Sequence, residues 1–122
     1  MTDRNYFELA RSNDAFRRTL ETGEHAQVVV MTIQPGEEIG EETHDGDQLL
    51  LFVEGEGEAV LDGSSSAVRA GEMVFVPAGT LHNFVNTGSE PLRLVTVYAP
   101  PEHPDGTVHA TKAEADAAEH DH

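Results

Sequence analysis

Gly71-Glu72-Met73-Val74-Phe75-Val76-Pro77-Ala78-Gly79-Thr80-Leu81-His82-Asn83-Phe84-Val85-Asn86 decides how this chain folds. Pro77 presets φ and Gly79 supplies a conformation closed to other residues, so Pro-Ala-Gly-Thr reads as a tight turn joining two strands. His82 opens the second strand, and by period two it shares a face with Phe84 and Asn86. A polar ligand thus has an apolar neighbour one step deeper in the same cavity.

Working outward, the stretch from Gly36 to Gly55 supplies a second polar group. Glu42 and His44 stand two apart and share a face on an extended segment. Gly46 then bends the chain into a run in which Gln48, Leu50 and Phe52 face one way and Leu49, Leu51 and Val53 the other. Apolar residues on both faces predict a strand buried on both sides, with the outward three against a second sheet or a partner chain. Glu42, His44, Gln48 and His82 therefore lie where two strand regions can bring four donors onto one ion. Two imidazole nitrogens, a carboxylate oxygen and an amide oxygen suit Mn, Fe, Co, Ni or Zn with positions left open. The competing reading makes Glu42 and His44 a hydrogen-bonded pair at a barrel mouth, with Gln48 and His82 satisfying buried backbone groups.

Along the rest of the chain, Tyr6 to Arg11 reads as a short helical turn. Ala15 to Leu20, a turn at Glu21 to Glu24, and His25 to Gln34 read as an N-terminal hairpin. Glu56 to Leu61, a turn at Asp62 to Ser66, Ala67 to Ala70, and Leu92 to Tyr98 supply further short strands. Many short strands between glycine-bearing turns, with no long amphipathic helix, predict an all-β antiparallel barrel or jelly roll. Pro100 and Pro101 cannot donate to a ladder, so the C-terminal segment is expected to leave the barrel. Thr111-Lys112-Ala113-Glu114 has capping-box form and predicts a short helix over 112–119. The expected organisation is a single domain: 1–24 as N-terminal extension and start of the hairpin, 25–99 as barrel, 100–122 as tail. His103 and His109 are read as surface residues of that tail, the alternative being that it folds back over the barrel mouth and lines the site. His25 is read as structural or exposed, and His120 and His122 as lying at a frayed end.

These residues resemble the cupin superfamily. Its first motif runs Gly, five residues, His, any residue, His, three or four residues, Glu, six residues, Gly, and Gly36, Glu42, His44, Gln48 and Gly55 occupy those places. The first His is replaced by Glu42 and the Glu by Gln48. The second motif is matched by Gly71, Pro77, Gly79, His82 and Asn86 without a gap or a substitution. The resemblance implies an RmlC-like double-stranded β-helix and a divalent metal at the four donors. It also implies a homodimer in which the N-terminal hairpin packs on the partner. Cupins include dioxygenases, sugar isomerases and epimerases, decarboxylases and plain small-molecule binders. Phe52, Phe84, Met31 and Val76 would line an apolar pocket beyond the metal, favouring a small, partly hydrophobic, oxygen-bearing ligand. Arg69 and Arg93, the basic residues of 25–99, form no evident phosphate cradle, which weighs against a sugar-phosphate isomerase. A metal-dependent dioxygenase or isomerase and a non-catalytic binding or sensing module both remain open.

Composition bounds the partners. The chain has 122 residues, enough for one domain that buries roughly two-thirds of its unfolded surface. It has no cysteine, which excludes thiolate ligation and disulfides. No apolar run approaches the roughly 20 residues of a membrane-spanning helix, and the N-terminus lacks a secretion pattern, so a cytoplasmic protein is expected. The 23 acidic residues against seven basic ones give a net charge of −16, which repels nucleic acid and anionic membranes. So large an acidic surplus, with Lys112 as the single lysine, also suits salt-rich cytoplasm, where screening removes self-repulsion, and a halophilic source is expected.

Overall fold

Alternation and β-branching make two runs pair as the predicted hairpin: β1 (Arg17–Thr22) lies antiparallel to β2 (Gln27–Ile33), whose residues are nearly all buried. The computed structural model describes residues 4–120. Ahead of the hairpin stands α1 (Tyr6–Arg11), whose N-cap Asn5 accepts a hydrogen bond from the Glu8 N–H at 3.2 Å. After it come β3 (Asp47–Glu54), β4 (Glu56–Leu61), β5 (Ser64–Arg69), β6 (Met73–Val76), β7 (His82–Val85), β8 (Leu92–Ala99), β9 (Val108–His109) and α2 (Lys112–His120). A six-stranded sheet in the order β6-β3-β8-β2-β1-β9 faces a three-stranded sheet β5-β4-β7, and every pairing is antiparallel. This is the all-β jelly roll that the residue pattern predicts.

The main core forms where the inward faces meet. Met31, Ile33, Leu50, Phe52 and Leu94 come from the large sheet and Ala59 and Phe84 from the small one, all at most 2% exposed. A smaller cluster lies on the other face of the large sheet, where Ala10 of α1 covers Val30, Val53 and Val95. Leu51 packs against the same cluster. Leu51 and Val53 of the outward face thus pack in a cluster with the chain's own N-terminal helix, and Leu49 stays half-buried outside it. A six-residue helix suffices because the patch is only a few side chains wide.

Three local expectations are corrected. The hairpin turn after β4 is the pair Asp62-Gly63, not the run to Ser66: φ is 48° and 85°, the left-handed pair that matches strand twist, so Ser64 to Ser66 join β5. The segment carrying Glu42 and His44 is no regular strand. It is an extended stretch held to the small sheet by single bridges, Glu38 with Val85 and Glu42 with His82. The third concerns the tail, which leaves β8 and then returns. β9 pairs with β1, Phe16 N–H donates to Ala110 C=O at 3.1 Å and Thr19 N–H to Thr107 C=O at 2.9 Å. Without it, the β1 edge would present a row of unpaired amides. Thr111 caps α2 by accepting from Glu114 N–H at 3.1 Å, and Ala115 is buried in the main core. His122 lies outside the described residues.

Gly46 lets the tail start where it does. A Cβ there would stand 2.6 Å from the Ala99 carbonyl oxygen and 2.7 Å from Pro100 Cδ. Gly46→Ala is expected to shift the 99–103 segment and to lower stability by roughly 1–3 kcal/mol, the usual cost of overpacking. Chemical denaturation compared with wild type checks this; an unchanged midpoint would contradict the crowding.

Candidate metal centre

The backbone brings the first two donors together. Glu42 N–H donates to His82 C=O and His82 N–H to Glu42 C=O, both at 3.0 Å, a hydrogen-bonded antiparallel pair whose side chains share a face. His44 follows two residues on, and its ring lies 5.1 Å from that of His82, centroid to centroid. Glu42 Oε1 is 3.2 Å from His44 Nε2 and 3.9 Å from His82 Nε2. One ligating atom from each of the three residues lies within 4.8 Å of the others. Two ligands each about 2.1 Å from a common ion stand about 3 to 3.5 Å apart, so little movement separates this grouping from a coordination shell.

The orientation of each ring is set from outside. His82 Nδ1 lies 2.8 Å from Thr80 C=O, which can only accept, so Nδ1 carries a proton and Nε2 points inward. His44 Nδ1 is 3.0 Å from Glu102 Oε1 in the same manner. Gln48, 2% exposed on the inward face of β3, donates from Nε2 to Thr96 Oγ1 at 3.0 Å. Thr96 spends its one hydroxyl proton on Leu49 C=O at 3.0 Å and can only accept from Gln48, which turns Gln48 Oε1 the other way.

Those inward atoms have nothing to bond. Among the described residues, the buried side-chain atoms without a hydrogen-bond partner are His44 Nε2, His82 Nε2, Gln48 Oε1, Arg17 Nε and His103 Nε2. The first three belong to predicted donors, and His44 Nε2 faces Glu42 Oε1 at 3.2 Å. Buried polar atoms are normally paired, so His82 Nε2 and Gln48 Oε1, joined by His44 Nε2 once its proton is displaced, beside an ionised carboxylate fit a cation in both charge and number. The reading of these residues as self-satisfied polar groups is met by the Glu42–His44 pair at 3.2 Å, but for His82 Nε2 and Gln48 Oε1 it requires partners that the described residues do not provide. Asn86, by contrast, is fully used: Nδ2 donates to Ile33 C=O and Glu90 C=O, both at 2.8 Å, and Oδ1 accepts from Gly88 N–H at 2.9 Å. It pins the loop after β7.

Protonation follows from the same neighbours. Burial works against charge on His44, but the hydrogen bonds and negative charges of Glu102 and Glu42 prevail and push it up to about 9. Burial raises Glu42, yet His44, Arg17 and His82 outweigh it and leave it below the ordinary carboxylate range. Glu102 is lowered chiefly by its hydrogen bond to His44. His103 falls to about 4, through burial and then the charge of Arg17, and is neutral. Tyr98 is held far above the usual phenol range by burial.

Sequence reasoning missed three of these groups. Glu102 orients His44 from the tail, and its backbone N–H and that of His103 both donate to Gln27 Oε1, at 3.3 and 3.0 Å. Tyr98 stands edge-on to His44 at 5.7 Å and to His103 at 5.2 Å. The tail thus folds back onto the site, correcting the placement of His103 at the surface. Arg17 is 2% exposed, and its Nη1 donates to His109 Nδ1 at 3.2 Å. Period two separates Arg17 from Phe16 and Leu20 and suggests an outward residue. The pairing of Arg17 with Met31, a core residue, puts it inside, because Leu20 belongs to the outer cluster under α1.

The remaining candidates are core. Met31, Phe52, Val76 and Phe84 are at most 2% exposed, and the Phe84 ring lies 6.2 Å from that of His82. All four belong to the main core, and Phe84 stands next to His82. Arg93 belongs to the outer surface, paired with Glu54 at 3.2 Å and Asp14 at 3.7 Å.

Comparison with known proteins agrees with this architecture. The family described as "Cupin domain" matches residues 29–98. The uncharacterized protein YrkC of Bacillus subtilis (strain 168) is 44% identical over 122 residues, covering 94% of this chain and 66% of its own length. The crystal structure of BH2720 from Bacillus halodurans superposes with a TM-score of 0.92 at 45% identity, over 94% of this chain and 92% of that one. An RmlC-like cupin from Shewanella frigidimarina NCIMB 400 superposes with a TM-score of 0.66 at 25% identity, over 71% of this chain and 77% of the other.

Proposed function

This chain belongs to the cupin domain family, and from that premise we propose that Glu42, His44, Gln48 and His82 hold a divalent metal ion at which a small oxygen-bearing molecule is bound or transformed. One observation carries the reading: the inward atoms of His82 and Gln48 are buried and unpartnered beside an ionised Glu42 and the Nε2 of His44 that faces it. Lewis acidity toward a coordinated oxygen is the chemistry that Mn, Fe, Co, Ni or Zn supplies in such a place. The protein's own groups do the rest. Glu102 and the Thr80 carbonyl keep both imidazoles in the tautomer that offers Nε2. Phe84 and the surrounding core exclude water from the inner side. Glu42, 21% exposed in its side chain, faces the mouth and is an ionised group placed to take a proton there, whereas Glu102 is engaged on His44 Nδ1.

Elemental analysis of untagged protein tests the metal. Turnover assays with Fe(II) or Mn(II) in air, on small diols, enols and sugars, then separate a metal-dependent dioxygenase or isomerase from a binding or sensing module. Ligand-induced spectral shifts without product select the second. A sugar-phosphate isomerase is the weakest of these readings, since Arg93 is engaged on the outer surface.

We also propose a homodimer from a halophilic cytoplasm. Tyr6 and Phe7 are stacked and exposed, and Met73 and Phe75 stand out from β6, an edge strand, at 70% and 55% exposure. Light scattering in molar KCl is expected to give twice the chain mass; a concentration-independent monomer removes the dimer. With a net charge of −16, melting temperature is expected to rise steeply from dilute buffer to molar KCl, and equal stability in both removes the halophilic reading. No helix among the described residues is long and apolar enough to cross a membrane.

A further inference from the structure

Arg17 is a permanent cation inside the barrel. At 2% exposure it has, among the described residues, no carboxylate in ion-pair contact: Nη1 is used on His109, the guanidinium lies 5.3 Å from the Phe16 ring centre and beside the Tyr98 hydroxyl, and Nε has no partner. Arginine is almost never fully buried without an anion, because desolvation costs several kcal/mol that only close pairing offsets. Glu42 and Glu102 feel its charge without meeting it. The tail adds a second unsatisfied atom, the buried Nε2 of neutral His103, held against Tyr98. Two buried nitrogens, one a fixed donor and the other free to donate, lack an acceptor, and the charge of Arg17 reaches His103.

We propose that Arg17, with His103 beside it, binds the carboxylate of a small monoanion whose other oxygen reaches the metal held by Glu42, His44, Gln48 and His82. The proposal rests on the metal reading above and adds the substrate class. A carboxylate matches the guanidinium fork and carries one charge. A phosphate dianion would meet a single arginine amid Glu42 and Glu102, with no lysine, glycine-rich loop or helix N-terminus at hand. Access is from the mouth, where the side chains of Glu42 and Glu102 are 21% and 35% exposed.

The test uses the Mn(II)-loaded protein, with pyruvate as probe and pyruvamide as its neutral counterpart, each titrated by calorimetry. Wild type is expected to prefer pyruvate by at least about tenfold, and Arg17→Met to cut that preference severalfold by weakening pyruvate more than pyruvamide. Mn(II) affinity in Arg17→Met should hold or tighten, since a neighbouring positive charge is gone; a merely structural role would weaken it. Should Arg17→Met not fold, Arg17→Lys is expected to keep part of the preference and lose the fork's share. Equal binding of pyruvate and pyruvamide to wild type, tighter binding of inorganic phosphate than of pyruvate, or an undiminished preference in Arg17→Met each overturns the proposal with the metal reading intact. Failure of wild type to take up Mn(II) overturns the metal reading, and this proposal with it.

Discussion

His82→Ala is expected to abolish stoichiometric metal uptake while the barrel still folds. His82 supplies an inward Nε2 from a ring that is 2% exposed and locked by Thr80, so no rotation of a neighbour can replace it. Loss of one of four ligands should weaken binding by more than the 10- to 100-fold typical of losing an outer hydrogen-bond partner. The metal-free protein should lose roughly 2 kcal/mol, from the vacated volume and the unmet Thr80 carbonyl, within the reach of a folded barrel. Elemental analysis and far-UV circular dichroism of wild type and variant check both halves. A variant that retains one equivalent of metal would show that the ion sits elsewhere.

The second large effect is on pH. In the metal-free protein the His44 imidazole holds its proton to about 9, and a metal requires the neutral ring. Below that value, binding must expel one proton, so affinity should climb about tenfold per pH unit, or roughly 100-fold between pH 7 and 9, and then level. Calorimetry in buffers of different ionisation heat should count about one proton released at pH 7. Glu102→Gln removes the hydrogen-bonded carboxylate, lets His44 titrate lower, and should flatten the upper part of the profile. A slope that survives unaltered would mean another group carries the proton. Folding of the metal-free protein runs the opposite way. A raised His44 contributes stability that is complete below its ordinary 6.5 and is lost as pH rises through about 9. The lowered Glu42 and Glu102 contribute above their ordinary 4.5 and are lost on acidification. Neutral His103, lowered to about 4, contributes stability that is complete above its ordinary 6.5 and lost on acidification, so the metal-free protein is expected to be most stable near pH 6.5, and the loaded protein at higher pH.

Much of the barrel is visible in local chemistry. The Pro77 to Thr80 turn, the alternation in β3 and the capping sequence before α2 each constrain a few neighbouring residues, so a linear reading recovers them. The boundary at Asp62-Gly63 was readable in principle, since Asp-Gly is a strong signal for a two-residue hairpin, but the serines that follow look like loop. The outer face of β3 was not. Whether apolar residues there meet a sheet, a partner or a helix depends on where α1 lands, and six residues of weak helix carry no address.

By itself the sequence determined which donors exist and on which strand faces they stand: a period of two puts Gln48 with Phe52, and His82 with Phe84, because successive side chains of an extended chain point oppositely. It also determined that the site lacks thiolates and that the surface is acidic. Only the tertiary structure decided that Glu102 would reach His44 and that Arg17 would face inward. The reason is one of separation along the chain: β9 closes onto β1 across 92 positions from His109 to Arg17, and such a contact is chosen by the free edge it satisfies, which no local pattern encodes.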